Sequence, residues 1–139
     1  MKHRIAFIGL FLSITTLLLA GPMEDRYWEV RAGFLSREKS AQQDLKQYLD
    51  DYPYTTYRSE VQLMIGVLQT EKEKFKQAQK SFAAVEWKEL DREDQPLYYF
   101  YRGYVYIQQG DLKAATSMFR TLKDSQNPYT RFPSPQGAS

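Results

Sequence analysis

The sequence predicts an all-α fold of antiparallel helix hairpins, about three of them in series. Three observations carry this. A small–large–large pattern, Ala41-x3-Leu45-x2-Tyr48, recurs as Ala78-x3-Phe82-x2-Val85 and again as Ala115-x3-Phe119-x2-Leu122, each step 37 residues. Gly66 and Gly103 are 37 apart as well, each twelve residues before the Ala of its repeat, and Phe75 and Leu112 keep the same spacing. Pro53 and Pro96 fall between units, and Gly110-Asp111 marks the turn inside the last one, where chain breakers belong. A fixed period of this length signals repeated helical units.

The elements follow in chain order. Met1-Lys-His-Arg4 is basic, Ile5 to Leu19 is uncharged and apolar, and Ala20-Gly21 offers small residues, the layout of a secretory signal peptide over residues 1–20. A cut after Ala20 places Leu18 at the −3 position, where a small residue is preferred, so an uncleaved N-terminal anchor in the inner membrane stands as the alternative. No Cys follows the apolar run, which excludes a lipoprotein anchor. The first hairpin then pairs a helix over Glu24–Leu35 with one through Ala41 and Tyr48. In it Glu29 stands where the later units have glycine, which leaves the register of its first helix open. The second hairpin joins Thr56–Leu68 to the segment carrying Ala78 and Phe82, and a longer connection, Trp87–Gln95, leads to the third. There Leu97–Ile107, LYYFYRGYVYI, has the aromatic and β-branched content of a strand. Strict alternation fails and Pro96 suits a first helical position, so it is read as helix.

In each hairpin the small residue lets the partner helix approach, and the large ring fills the gap beside it. A mid-helix Gly costs about 1 kcal/mol relative to Ala, so its return at one phase requires a packing reason. The pattern resembles the tetratricopeptide repeat, whose signature has a Gly in the first helix and A-x3-F in the second, and the stretch Tyr48-Leu-Asp-Asp-Tyr-Pro-Tyr-Thr55 resembles units of exported bacterial repeat proteins. Gly66, Ala78 and Phe82 match in one unit; Gly103, Tyr106, Gly110, Ala115 and Phe119 match in the next. The resemblance covers about residues 24–130 within a domain of 21–130. It implies a right-handed superhelix of hairpins and a peptide-binding groove lined by first helices.

Composition removes many chemistries. There is no cysteine, and the single histidine, His3, lies in the leader, so thiol or imidazole catalysis and Cys/His metal sites are absent from a processed chain. Basic residues number 19 and acidic ones 17; Lys2 and Arg4 leave with the leader, and the remainder stands at 17 against 17. A balanced chain without a basic cluster carries no footprint for nucleic acid or for a polybasic membrane patch. Asp50-Asp51 and Asp91/Glu93/Asp94 are the available carboxylate groups. They lie in connections, lack the spacing of a calcium loop and read as solvated helix ends. The alternating charges of Glu71–Lys76 read as a solvated helix start. No phosphate loop, G-x-S-x-G or N-glycosylation motif is present. The expectation is a protein without catalytic residues, metal or cofactor.

Function is expected on the aromatic helix, since rings make up 15% of the chain and eleven are Tyr. Tyr99, Gly103 and Tyr106 share a face expected to pack on Ala115 and Phe119, which leaves Phe100, Tyr104 and Ile107 on a second face. The resemblance carries the groove to Leu63, Val67 and Thr70 in the preceding unit. The expected function is a scaffold in the cell envelope that binds a protein or peptide. A glycan-binding protein whose rings stack on sugars, or a fragment of a longer array, is the alternative. Finally, residues 131–139 carry two prolines and no apolar periodicity and are expected to be disordered. Met118 and Leu122 are then expected to stay partly exposed and to support self-association.

Overall fold

The structure, a computed structural model, describes residues 21–126; the expected leader and the expected disordered tail lie outside the described residues. All the described regular structure is helical: α1 (Pro22–Leu35), α2 (Ala41–Asp51), α3 (Arg58–Glu71), α4 (Phe75–Ala83), a short 3-10 helix (Trp87–Glu89), α5 (Gln95–Gln108) and α6 (Leu112–Gln126). They group into two compact units that divide after Thr55.

The first unit is the α1–α2 hairpin. Pro22 opens α1 where its missing N–H is no loss, and Glu24 and Asp25 face the positive end of the helix dipole. The buried residues of α1 are Tyr27, Val30 and Phe34; those of α2 are Ala41, Leu45 and Tyr48. The Tyr27 and Tyr48 rings stand 6.2 Å apart. Burying a phenol requires a partner for its hydroxyl. Tyr48 Oη meets Thr55 Oγ1 at 2.7 Å, and Arg31 Nη1 donates to Tyr27 Oη at 3.0 Å.

The second unit holds two hairpins, α3–α4 and α5–α6, with α5 also packed on α4 and α3. Gly66 is the close-approach point of the first: a Cβ there would stand 2.5 Å from Phe82 Cε1. Gly103 plays the same part against Phe119, 2.9 Å from Cζ. The pairing of recurrent glycine with recurrent ring is thus the contact that joins each hairpin of this unit. Ser81 Oγ adds a buried bond of 2.6 Å to Gln69 Oε1 across α3 and α4. The connection to α5 is anchored by Val85 and Leu90, both buried, and is tied to α3 through Ser59, whose Oγ accepts from Glu86 N at 3.0 Å and donates to Glu89 Oε2 at 3.1 Å. Leu97–Ile107 lies within α5, so hairpin pairing overrides its strand propensity.

One cap closes the first helix of all three hairpins. Arg37, Glu73 and Gly110 have φ of 52°, 59° and 78°. The N–H of each bonds back three residues, to Phe34, Thr70 and Ile107. The next N–H bonds back five, Glu38 to Gly33, Lys74 to Gln69 and Asp111 to Tyr106. That is the Schellman arrangement, which satisfies carbonyls a helix end would otherwise strand. These turn positions also settle the open register of α1. The steps are 36 and 37 residues, so the first hairpin turn is one residue shorter before its Ala. Counted from the turn, the position of Gly66 and Gly103 falls on Val30, which is buried, and not on the salt-bridged Glu29.

Phe119 departs from expectation. Read as a core position like Phe82, it is only half-buried, whereas Phe82 is fully enclosed. The Phe82 ring also packs against Tyr98 of the following helix α5, at 6.4 Å, and α6 has no such following helix among the described residues. Met118 and Leu122, expected to be partly exposed, are half-buried.

Candidate functional site

Helix α5 sets the geometry of the expected groove. Asp94 precedes it, Pro96 lies in its first turn, and the Gly103–Phe119 contact fixes how it is rotated against α6. At about 100° per residue, Phe100, Tyr104 and Ile107 fall within roughly 60° of one another and to one side of the Gly103 line. They are 49%, 39% and 43% exposed, respectively. The stripe continues onto α4, where the half-buried Phe75 ring meets Tyr104 edge-on at 6.1 Å. Phe100 does not lie wholly on the open face, because its ring also abuts Phe119 at 6.4 Å.

The opposite flank of α5 is engaged. Arg102 is the helix's single charged residue; it donates to Tyr98 Oη and lies over the rings of Tyr98 and Tyr106, at 5.6 and 5.5 Å. Tyr99 is buried with its ring 6.3 Å from Trp87 in the connection, and burial pushes its phenol above the usual tyrosine range. Tyr106, expected beside Tyr99 and Gly103 on the α6 face, is half-buried beneath Arg102. The exposed stripe is therefore uncharged, and what it offers a ligand is apolar area, ring edges and the Tyr104 hydroxyl.

Leu63, Val67 and Thr70 are placed differently. All three are buried, and Thr70 Oγ1 donates to Gly66 O at 2.7 Å within α3. As folded here they present no surface to a ligand. The structure therefore brings Phe100, Tyr104 and Ile107 together and leaves the other three inside the core. A register carried along equal spacing cannot distinguish these cases, because α3 is packed by both α4 and α5. Phe75 is the neighbour that sequence reasoning did not assign. Its spacing to Leu112 was visible, but its ring contact with Tyr104 is tertiary.

The carboxylate groups do not assemble into a metal site: among the described residues no three His, Asp or Glu side chains could hold an ion. Asp51 accepts from Gln47 Nε2 at 2.9 Å within α2. No described helix is long and apolar enough to cross a membrane. No protein-family model matches the chain, and no curated protein or solved structure matches it at a significant level.

Proposed function

We propose that this chain is an exported helical-repeat scaffold of the tetratricopeptide type, without catalytic activity, that binds a protein or peptide on the exposed stripe of α5. The observation that carries the reading is the stripe itself. Phe100, Tyr104 and Ile107 follow one another at the i, i+4, i+7 spacing that suits an extended peptide or an amphipathic helix, on an element locked by the Gly103–Phe119 contact. Exposed aromatic side chains on a rigid support lose little entropy on binding, which is why such residues dominate interface energetics. In this reading the hairpins stack as a right-handed superhelix, the leader directs the chain to the cell envelope, and the partner is largely uncharged where it meets α5.

The test is selection from a random peptide library against the full chain, followed by affinity measurement on wild type and Tyr104→Ala. The expected result is selected peptides whose affinity falls at least tenfold in the variant while its thermal melt stays within a few degrees. Peptides that bind both proteins equally refute the stripe assignment. Failure to select any peptide, with Tyr or Trp fluorescence quenched by oligosaccharides at submillimolar concentration, identifies a glycan-binding protein instead.

A further inference from the structure

The least expected side chain in the second unit is Glu60. It stands in the first turn of α3, where a carboxylate is usually solvated, yet it is only 4% exposed and its Oε2 has no hydrogen-bond partner among the described residues. A buried carboxylate normally demands a cation or several donors. Glu60 has backbone amides of Glu60 and Asp91 as donors, but the two charged groups that bear on it most are acidic: Asp91 in the connection and Asp94 at the start of α5. No cation is among the groups that bear on Glu60 most, and Arg58, two residues before it on α3, is exposed. Lys76 and Lys80 of α4 are exposed, and Arg102 of α5 is held by Tyr98 and Tyr106. In the connection itself, Glu86, Lys88, Arg92 and Glu93 are exposed, and Glu89 is bound to Ser59. The same connection is held to the first turn of α3 by the adjacent Ser59 and closed by the buried Leu90.

We propose that Glu60 is a proton-operated latch for the connection from Val85 to Asp94: protonated, it lets that connection close over the first turn of α3, and ionised, it drives the connection away through desolvation and repulsion by Asp91 and Asp94. The connection carries α5, so the latch governs how firmly the third hairpin is held to the second. It does not depend on what the α5 stripe binds.

The physical balance supports this. Burial raises the Glu60 pKa above the usual glutamate range, and Asp91 and Asp94 raise it further; backbone amides of Glu60 and Asp91 oppose them. The closed state thus holds its proton more tightly than an open state in which the carboxyl is solvated. Opening is least favoured below the ordinary glutamate pKa. It becomes easier as pH rises from that value to the raised one, and levels off above it. Inside that window the opening constant climbs by up to about tenfold per pH unit.

Amide hydrogen exchange of the full chain, read by mass spectrometry and corrected for intrinsic chemical rates, tests the latch. Protection of the amides between Val85 and Gln95 should fall several-fold from about pH 4.5 to pH 8, while that of the α1–α2 turn stays level. Glu60→Gln should hold the connection at high protection throughout, and Asp91→Asn with Asp94→Asn should shrink the fall. Carboxyl NMR of the wild type supplies a measurement that needs no variant: Glu60 should titrate above the usual glutamate range. Equal protection at both ends of the range, an unaltered fall in Glu60→Gln, or an ordinary Glu60 midpoint each overturns the proposal.

Discussion

Replacing Gly66 by Ala adds one methyl group where the hairpin is tightest. The new Cβ would lie 2.5, 2.8 and 2.9 Å from Cε1, Cδ1 and Cζ of Phe82, all inside contact distance. Phe82 has little room to retreat, being fully buried and packed against the Tyr98 ring as well. Overpacking of this kind costs about 1–3 kcal/mol, and a ring that cannot rotate away belongs at the upper end. Ala is a better helix former than Gly by about 1 kcal/mol, which offsets part of the loss. The net expectation is a destabilisation of about 2 kcal/mol, or roughly 10 °C in Tm for a domain of this size. Gly103→Ala is the internal control. Its nearest approach is 2.9 Å to Phe119 Cζ, the next two atoms are at 3.1 Å, and Phe119, only half-buried, is less confined than Phe82. There overpacking of about 1 kcal/mol and the propensity gain nearly cancel, so its stability should stay within about 1 kcal/mol of wild type. Urea and thermal melts followed by circular dichroism read both. A Gly66→Ala protein as stable as wild type, or a Gly103→Ala protein that loses more than Gly66→Ala, would refute the close-contact account.

Burial separates the two repeated phenylalanines in the same way: Phe82→Ala should cost about 3–5 kcal/mol and the half-exposed Phe119→Ala only about 1–2, with equal losses in urea melts counting against the asymmetry. Glu73 occupies a left-handed turn position that in the next hairpin is Gly110. Glu73→Gly should relieve about 1–2 kcal/mol of strain and give back part of it in unfolded-chain entropy, for a net gain of about 0.5–1 kcal/mol; a lower melting midpoint would sink this reading. Burial raises the phenols of Tyr48 and Tyr99. The stability they confer is intact below the ordinary phenol pKa near ~10 and declines as pH climbs from there through the raised values. In a phenolate absorbance titration a component should appear above the ordinary phenol range, and Tyr48→Phe should diminish it; no late component ahead of unfolding would contradict it.

Much of the fold was legible because its determinants are local. Ala78 and Phe82 lie one turn apart on α4, and Gly66 precedes them at the spacing a hairpin needs, so the spacing marks the region of close approach, though it sets Gly66 against Ala78 and the structure sets it against the Phe82 ring. The same holds for Gly103, Ala115 and Phe119, and for Gly110, whose lack of a side chain announces a left-handed turn. The candidate site was legible only in part. Phe100, Tyr104 and Ile107 lie on one exposed stripe as their helical phase requires, but Leu63, Val67 and Thr70, carried over by resemblance, are core residues.

Spacing along the chain determined the all-helical architecture, the hairpin partners and the phase of the helices in the second and third hairpins, since these depend on residues a few positions apart. Tertiary structure alone decided how many neighbours cover each face. That number makes Phe82 a sealed core ring and leaves its counterpart Phe119 half in solvent. It also buries Val30, not Glu29, at the place that Gly66 and Gly103 hold when counted back from the turn, because the first hairpin turn is one residue shorter before its Ala. It buries Glu60 beside Asp91 and Asp94, more than thirty residues away along the chain, against every local preference of a glutamate at a helix start. Helical phase is set by backbone geometry within a turn or two, whereas burial is set by which distant segment arrives on top, and periodicity records only the first.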